Sequence, residues 1–144
     1  MKNDNFRETT IQKIVVNHFR QNQYIVIQQC IDNPVLFSDI RQCKTHEIFG
    51  IDVVAQKGKE LWIIEVKGQT NGGIPASSSN FMTGIGQILS RITQIDDKIN
   101  YGLAIPNNDS FSSSIKKFMH SPVFANLNLS LLLIQENKQV DFFN

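Results

Sequence analysis

Three ionisable residues near the middle of the chain, Asp52, Glu65 and Lys67, have types and spacings that could do chemistry. They sit in two runs rich in β-branched and apolar residues, Gly50-Ile51-Asp52-Val53-Val54-Ala55-Gln56 and Glu60-Leu61-Trp62-Ile63-Ile64-Glu65-Val66-Lys67, separated by Lys57-Gly58-Lys59. Two such runs around a short glycine-containing break predict a β-hairpin. With Gly58-Lys59 as a two-residue loop, Lys57 pairs with Glu60, and counting outward puts Asp52 directly opposite Glu65. Choosing Lys57-Gly58 as the loop makes the carboxylates diagonal on one face, and a three-residue loop sends them to opposite faces. The period of a strand puts Lys67 on the face of Glu65.

Directly opposed carboxylates have Cβ atoms about 5 Å apart and repel by roughly 3 kcal/mol at an effective dielectric near 20, so the pair needs positive charge beside it. Leu61 and Ile63 make one face of the second strand apolar, while Trp62, Ile64 and Val66 do the same for the other, as in a central strand covered on both sides. Two chemistries fit. A hard divalent cation such as Mg²⁺ takes one or two carboxylates plus carbonyls and waters. Alternatively, Lys67 neutralises Asp52 and Glu65 in a buried ion network without further function. Such networks rarely stabilise a fold more than apolar packing would, which favours the functional reading.

Gly50-Ile51-Asp52 followed by Glu65-Val66-Lys67, with Glu8 on a preceding helix, resembles the PD-(D/E)XK nuclease superfamily. The resemblance runs from about Glu8 to Pro106 and has Ile51 where the family name has proline, a variable position. It implies a restriction-endonuclease-like αβββαβ core and metal-dependent hydrolysis of phosphodiesters in nucleic acid, DNA first. It also implies that Asp52, Glu65 and the Val66 carbonyl bind Mg²⁺, with Mn²⁺ as a substitute, and that Lys67 positions or activates the attacking water. Glu8 corresponds to helix acids that serve as an additional ligand or as a support for the ligands. Gln87 and Arg91, one turn apart on a later helix, resemble the Gln-x-x-x-basic or aromatic pair beside the site in some members; a solvated helix face shared with Gln94 and Lys98 is the alternative. Cutting two strands suggests a homodimer. The competing expectation is a non-catalytic nucleic-acid-binding or protein-interaction module with the same fold.

Other candidates are weaker. Lys57 and Lys59 could contact phosphates, as could Lys116 and Lys117, although turns and helix ends carry lysines for solubility. His18 and His120 read as structural histidines, His46-Glu47 fits no zinc pattern, and Ser77, Ser78 and Ser79 lack a partner base at a readable spacing. A small-ligand α/β domain lacks the expected Gly-rich phosphate loop after a strand.

The elements that must position these residues follow from periodicity. Ile11, Ile14, Val15 and Phe19 form the stripe of an amphipathic helix over Glu8–Gln23, with Glu8 on the same face. Tyr24–Cys30 predicts a strand, and Ile31–Gly50 reads as irregular. Gly68–Asn80 has the composition of a mobile loop or connector. Ile85, Ile88, Leu89, Ile92, Ile95 and Ile99 mark a second helix, with Gly84 and Gly86 favouring a late start because glycine inside a helix costs about 1 kcal/mol. A short strand over Tyr101–Pro106, a helix over Phe111–His120 ending before Pro122, and a strand over Leu129–Gln135 follow, with Val140, Phe142 and Phe143 closing the chain. The order α-β-β-β-α-β-α-β predicts a mixed sheet flanked by helices.

At 144 residues the expectation is one nuclease-like domain over 1–144, with an ordinary globular composition of 41% hydrophobic and 19% charged residues. The formal net charge of +1 means that any nucleic-acid contact must use a local patch. Neither a membrane-length apolar run nor a signal-peptide core is legible, so the expected location is the cytoplasm. Cys30 and Cys43 are then free thiols.

Overall fold

The computed structural model describes residues 6–28, 51–92 and 96–144. Expectations about residues 1–5 and 31–50, Cys30 and Cys43, His46-Glu47, Gln94 and Ile95 lie outside them. The first helix, α1 (Glu8–Gln21), buries Ile11, Val15, Val16 and Phe19. It ends in a Schellman closure: Gln23 takes φ +67, its N–H donates to the Arg20 carbonyl at 3.0 Å, and the Tyr24 N–H donates to the Phe19 carbonyl at 3.0 Å. The Phe19 and Tyr24 rings meet edge-on at 5.0 Å, which fixes the entry to β1 (Ile25–Gln28).

The hairpin of β2 (Val53–Lys57) and β3 (Glu60–Val66) has the register of a two-residue loop, with Lys57 opposite Glu60 and Val53 opposite Ile64. Gly58 has φ +59, the left-handed value required at the first loop position of a type II′ turn. Then come α2 (Gly73–Arg91), β4 (Ile99–Pro106), α3 (Asp109–Met119), α4 (Pro122–Ala125), β5 (Leu129–Ile134) and β6 (Val140–Phe143). Among the described residues the strands form one six-stranded sheet in sequence order, β1 to β6. Only β3–β4 and β4–β5 are parallel, and these are the connections made through helices.

The protein is an α/β fold with a mixed sheet between helical layers. Phe81, Ile85 and Ile88 of α2 pack with Phe111, Ile115 and Phe118 of α3 on one face. Successive right-handed crossovers advancing in one direction across a sheet put both helices there. On the other face α1 packs on Val53, Ala55, Ile64, Val66, Ala104 and Leu132. Among the described residues no helix is long and apolar enough to cross a membrane.

Three sequence expectations are corrected. The loop over Gly68–Asn80 is short, because α2 begins at Gly73; Pro75 lies in its first turn, where its missing N–H has no intrahelical acceptor to lose. Nor does α2 start late, since it runs through both Gly84 and Gly86. Ile99 belongs to β4 rather than to that helix, because α2 ends at Arg91 and the Ile99 N–H bonds to the Asp96 carbonyl in the following turn. In addition, the short helix α4, opened by Pro122 in its first turn, was not anticipated.

Candidate active site

Extending the observed register by one residue sets Asp52 against Glu65, and the side chains agree. The Val66 N–H donates to Asp52 Oδ2 at 2.8 Å, so the strand that carries Glu65 also holds the Asp52 carboxylate. From α1, Gln12 Nε2 donates to the Asp52 carbonyl at 2.9 Å and fixes its backbone. Glu65 pairs with Leu103 across the parallel β3–β4 ladder, and Leu103 belongs to the core beneath α2; the acid therefore faces α2.

Glu65 is buried, with 2% exposure, whereas Asp52 and Lys67 are partly exposed. Burial, followed by hydrogen bonding to and repulsion from Asp52, pushes the Glu65 carboxyl up to about 8, against the opposing fields of Arg91 and Lys67. These influences identify the cluster: two carboxyls side by side and two cations beside them. Glu65 Oε1 has no hydrogen-bond partner among the described residues. Arg91 Nε approaches it to 3.6 Å, close enough for an ion pair and too far for a hydrogen bond.

Lys67 continues β3 beyond its last residue, and its N–H donates to the Ala104 carbonyl at 2.9 Å. Its side chain runs under α2, where a Cβ on Gly84 would stand 3.0 Å from Lys67 Cγ and 2.6 Å from Leu103 Cδ1. Gly84 is therefore the opening through which the lysine stem passes. Gly68 makes an equally close approach to α1: a Cβ there would collide with the backbone of Arg7 and Glu8. The Asn80 amide, one turn before Gly84, donates to the Gly68 carbonyl at 3.0 Å and ties the start of the loop to α2.

The structure thus brings together Asp52, Glu65, Lys67 and Arg91, with the Val66 backbone alongside. Glu8 is exposed in the first turn of α1, near Gly68. No group of three or more His, Cys, Asp or Glu side chains gathers to hold a metal among the described residues. Gln87 is exposed one turn before Arg91 on α2.

Lys57 and Lys59 are not brought to the cluster. They lie at the opposite end of the hairpin, five residues of strand or about 17 Å away. Lys57 Nζ donates to the Asn22 carbonyl at 3.0 Å and sits over the Tyr24 ring. His18 packs on Phe19 and Phe142, where burial lowers its pKa. Ser77 is fully buried inside α2. Lys116, Lys117 and His120 line an open groove of about 650 Å³ on α3 with Asp109, Ser112 and Ser113.

The sequence, read through hairpin register, placed Asp52, Glu65 and Lys67 on one face. It missed Gln12, for which no sequence signal exists, and Gly84, whose signal was a glycine inside an otherwise helical pattern.

The paired carboxylates fit a hard divalent cation chemically. Asp52 is held in place by the Val66 N–H, and the buried Glu65 Oε1 has an unused acceptor position. Comparison with protein-family models, curated proteins and solved structures finds no match to this chain.

Proposed function

We propose that this protein is a metal-dependent hydrolase of nucleic-acid phosphodiesters, acting on DNA, with a restriction-endonuclease-like core formed by α1, β1, β2, β3, α2 and β4. The observation that carries the reading is the buried Glu65 Oε1, without a hydrogen-bond partner among the described residues, beside an Asp52 carboxylate held by the same strand. A carboxyl oxygen removed from water this thoroughly and left without a hydrogen bond is expensive in a merely structural role. In this reading Asp52, Glu65 and the Val66 carbonyl hold Mg²⁺ or Mn²⁺. The cation, when bound, stabilises charge on the phosphate oxygens and lowers the pKa of a coordinated water.

The chain's own residues do the rest. The Val66 N–H fixes the Asp52 carboxylate before any substrate arrives, so little reorganisation remains at that group. Lys67 has a backbone held by Ala104 and a stem that packs beneath Gly84, and its positive charge acts on Glu65. There it stabilises developing negative charge and positions or activates the attacking water. Cutting both strands of a duplex is simplest with two copies of the chain, so a homodimer accompanies this reading.

One observation favours a second reading. Arg91 already supplies positive charge 3.6 Å from Glu65, as it would in a non-catalytic nucleic-acid-binding or protein-interaction module with no use for a cation. Incubation of plasmid and single-stranded DNA with wild type, Asp52→Ala and Lys67→Ala, in Mg²⁺ or Mn²⁺, separates the two. Cleavage by wild type alone supports the hydrolase. Identical behaviour of all three proteins removes it.

A further inference from the structure

We propose that Arg91 is an internal counter-ion which occupies Glu65 in the metal-free protein and competes with the divalent cation for that carboxylate. The inference rests on the reading of Asp52 and Glu65 as metal ligands and adds a device that sets when the ligands become available.

The first support is the form of the contact. Buried arginine–carboxylate pairs usually make short, often bidentate hydrogen bonds at about 2.7–2.9 Å. Here Arg91 Nε and Glu65 Oε1 stand 3.6 Å apart, and both atoms are buried without a hydrogen-bond partner among the described residues. Charge holds them near each other while the directional capacity of each goes unused. Nε can therefore withdraw without breaking a hydrogen bond of its own, and Oε1 retains the lone pairs that a hard cation takes.

A second support is where each cation is mounted. Lys67 follows a central strand, is bonded to β4 through its N–H and packs its Cγ beneath Gly84, so the start of its side chain is anchored by the sheet. Arg91 is the last residue of α2, and the next residue, Ile92, is already extended, with φ −78° and ψ 92°. Helix ends fray at little cost, and a cation there is favoured by the helix dipole wherever its side chain swings. Arg91 also reaches solvent, with 25% side-chain exposure against 2% for Glu65. Of the two positive groups beside the acids, one is fixed and one is free to yield.

The consequence is a threshold. Without a cation, Arg91 offsets the repulsion between the carboxylates whenever both are ionised. A divalent ion must displace that charge and therefore binds more weakly than the carboxylates alone would allow.

The test is a calorimetric Mn²⁺ titration of wild type, Arg91→Gln and Arg91→Lys at one pH and ionic strength, each variant checked for folding by circular dichroism. Arg91→Gln is expected to bind Mn²⁺ about tenfold tighter than wild type, and Arg91→Lys to stay near wild type. A purely structural role for Arg91 would weaken binding, so equal or weaker affinity in Arg91→Gln overturns the proposal. The wild-type protein gives a second measurement: the Arg91 Nε–H resonance followed by NMR during a Mg²⁺ titration. It is expected to shift and to exchange faster with solvent; an unchanged resonance at saturating Mg²⁺ overturns the proposal. If wild type and Arg91→Gln both take up no Mn²⁺, the metal-site reading fails and the competition fails with it. Uptake by wild type with no gain in Arg91→Gln sinks the competition alone.

Discussion

The Val66 N–H donates to Asp52 Oδ2 at 2.8 Å, so the backbone of β3, the strand that carries Glu65, holds the acid opposite it across the hairpin. One strand thus contributes one carboxylate directly and fixes the other. The spacing of the pair depends on hairpin register alone, the property that the Gly58-Lys59 loop sets.

That arrangement predicts the outcome of Asp52→Asn. The amide oxygen still accepts from Val66, so the fold is retained, while the charge that opposes ionisation of Glu65 disappears. Glu65 is expected to titrate at lower pH, read by carboxyl ¹³C NMR, and cleavage activity to fall by about 100-fold or more through the weakened cation site. Full activity in this variant would remove Asp52 from the ligand set.

The raised Glu65 pKa gives stability a definite pH dependence. Between the ordinary value of 4.5 and about 8, the folded state holds a proton that the unfolded state has released. Stability in the presence of a chelator is therefore greatest below pH 4.5 as far as this group is concerned and falls as pH rises, levelling off above about 8. The total loss is on the order of a few kcal/mol. Saturating Mg²⁺ is expected to flatten the decline, because a bound cation favours the ionised carboxylate. Denaturant melts at several pH values, with and without Mg²⁺, measure both effects.

The two interior glycines of α2 should respond in opposite directions. A Cβ at Gly84 meets Leu103 Cδ1 at 2.6 Å and Lys67 Cγ at 3.0 Å, whereas one at Gly86 meets nothing within 4 Å. Gly86→Ala is expected to stabilise the protein by about 1 kcal/mol through helix propensity. Gly84→Ala is expected to destabilise it by about 1–2 kcal/mol, because overpacking against the buried Leu103 exceeds the propensity gain. Activity should also drop in Gly84→Ala as the Lys67 stem is displaced. Urea midpoints of the two variants provide the comparison.

The lysines divide by position. Lys67→Ala should abolish cleavage, while Lys57→Ala and Lys59→Ala, at the far end of the hairpin, should leave the rate within about threefold of wild type at moderate salt. A hundredfold loss in Lys57→Ala would mean that the substrate path runs along the hairpin to its turn.

Much of this site was legible in the sequence because a hairpin with a two-residue loop has little freedom: Gly58 fixes the loop, the loop fixes the register, and the register brings Asp52 to Glu65. Glu8 was less legible, since helical periodicity assigns a face without saying how the first turn meets the sheet; close approach of Gly68 decides that. The start of α2 was misread for a physical reason. Gly, Pro and Ser carry loop propensity, yet Phe81, Ile85 and Ile88 bury so much apolar surface that the helix extends back through Ser77–Ser79 to Gly73. Gly84 seemed to interrupt the helix because its purpose, room for Lys67 and Leu103, exists only after folding.

Joint binding of a divalent cation by Asp52 and Glu65 underlies every activity prediction above. Anomalous diffraction from a crystal soaked in Mn²⁺ tests it most directly. The expected density is a manganese peak within ligand distance of both carboxylates and of the Val66 carbonyl, with Arg91 Nε withdrawn from Glu65. Manganese bound elsewhere on the protein, with Arg91 still against Glu65, would contradict it.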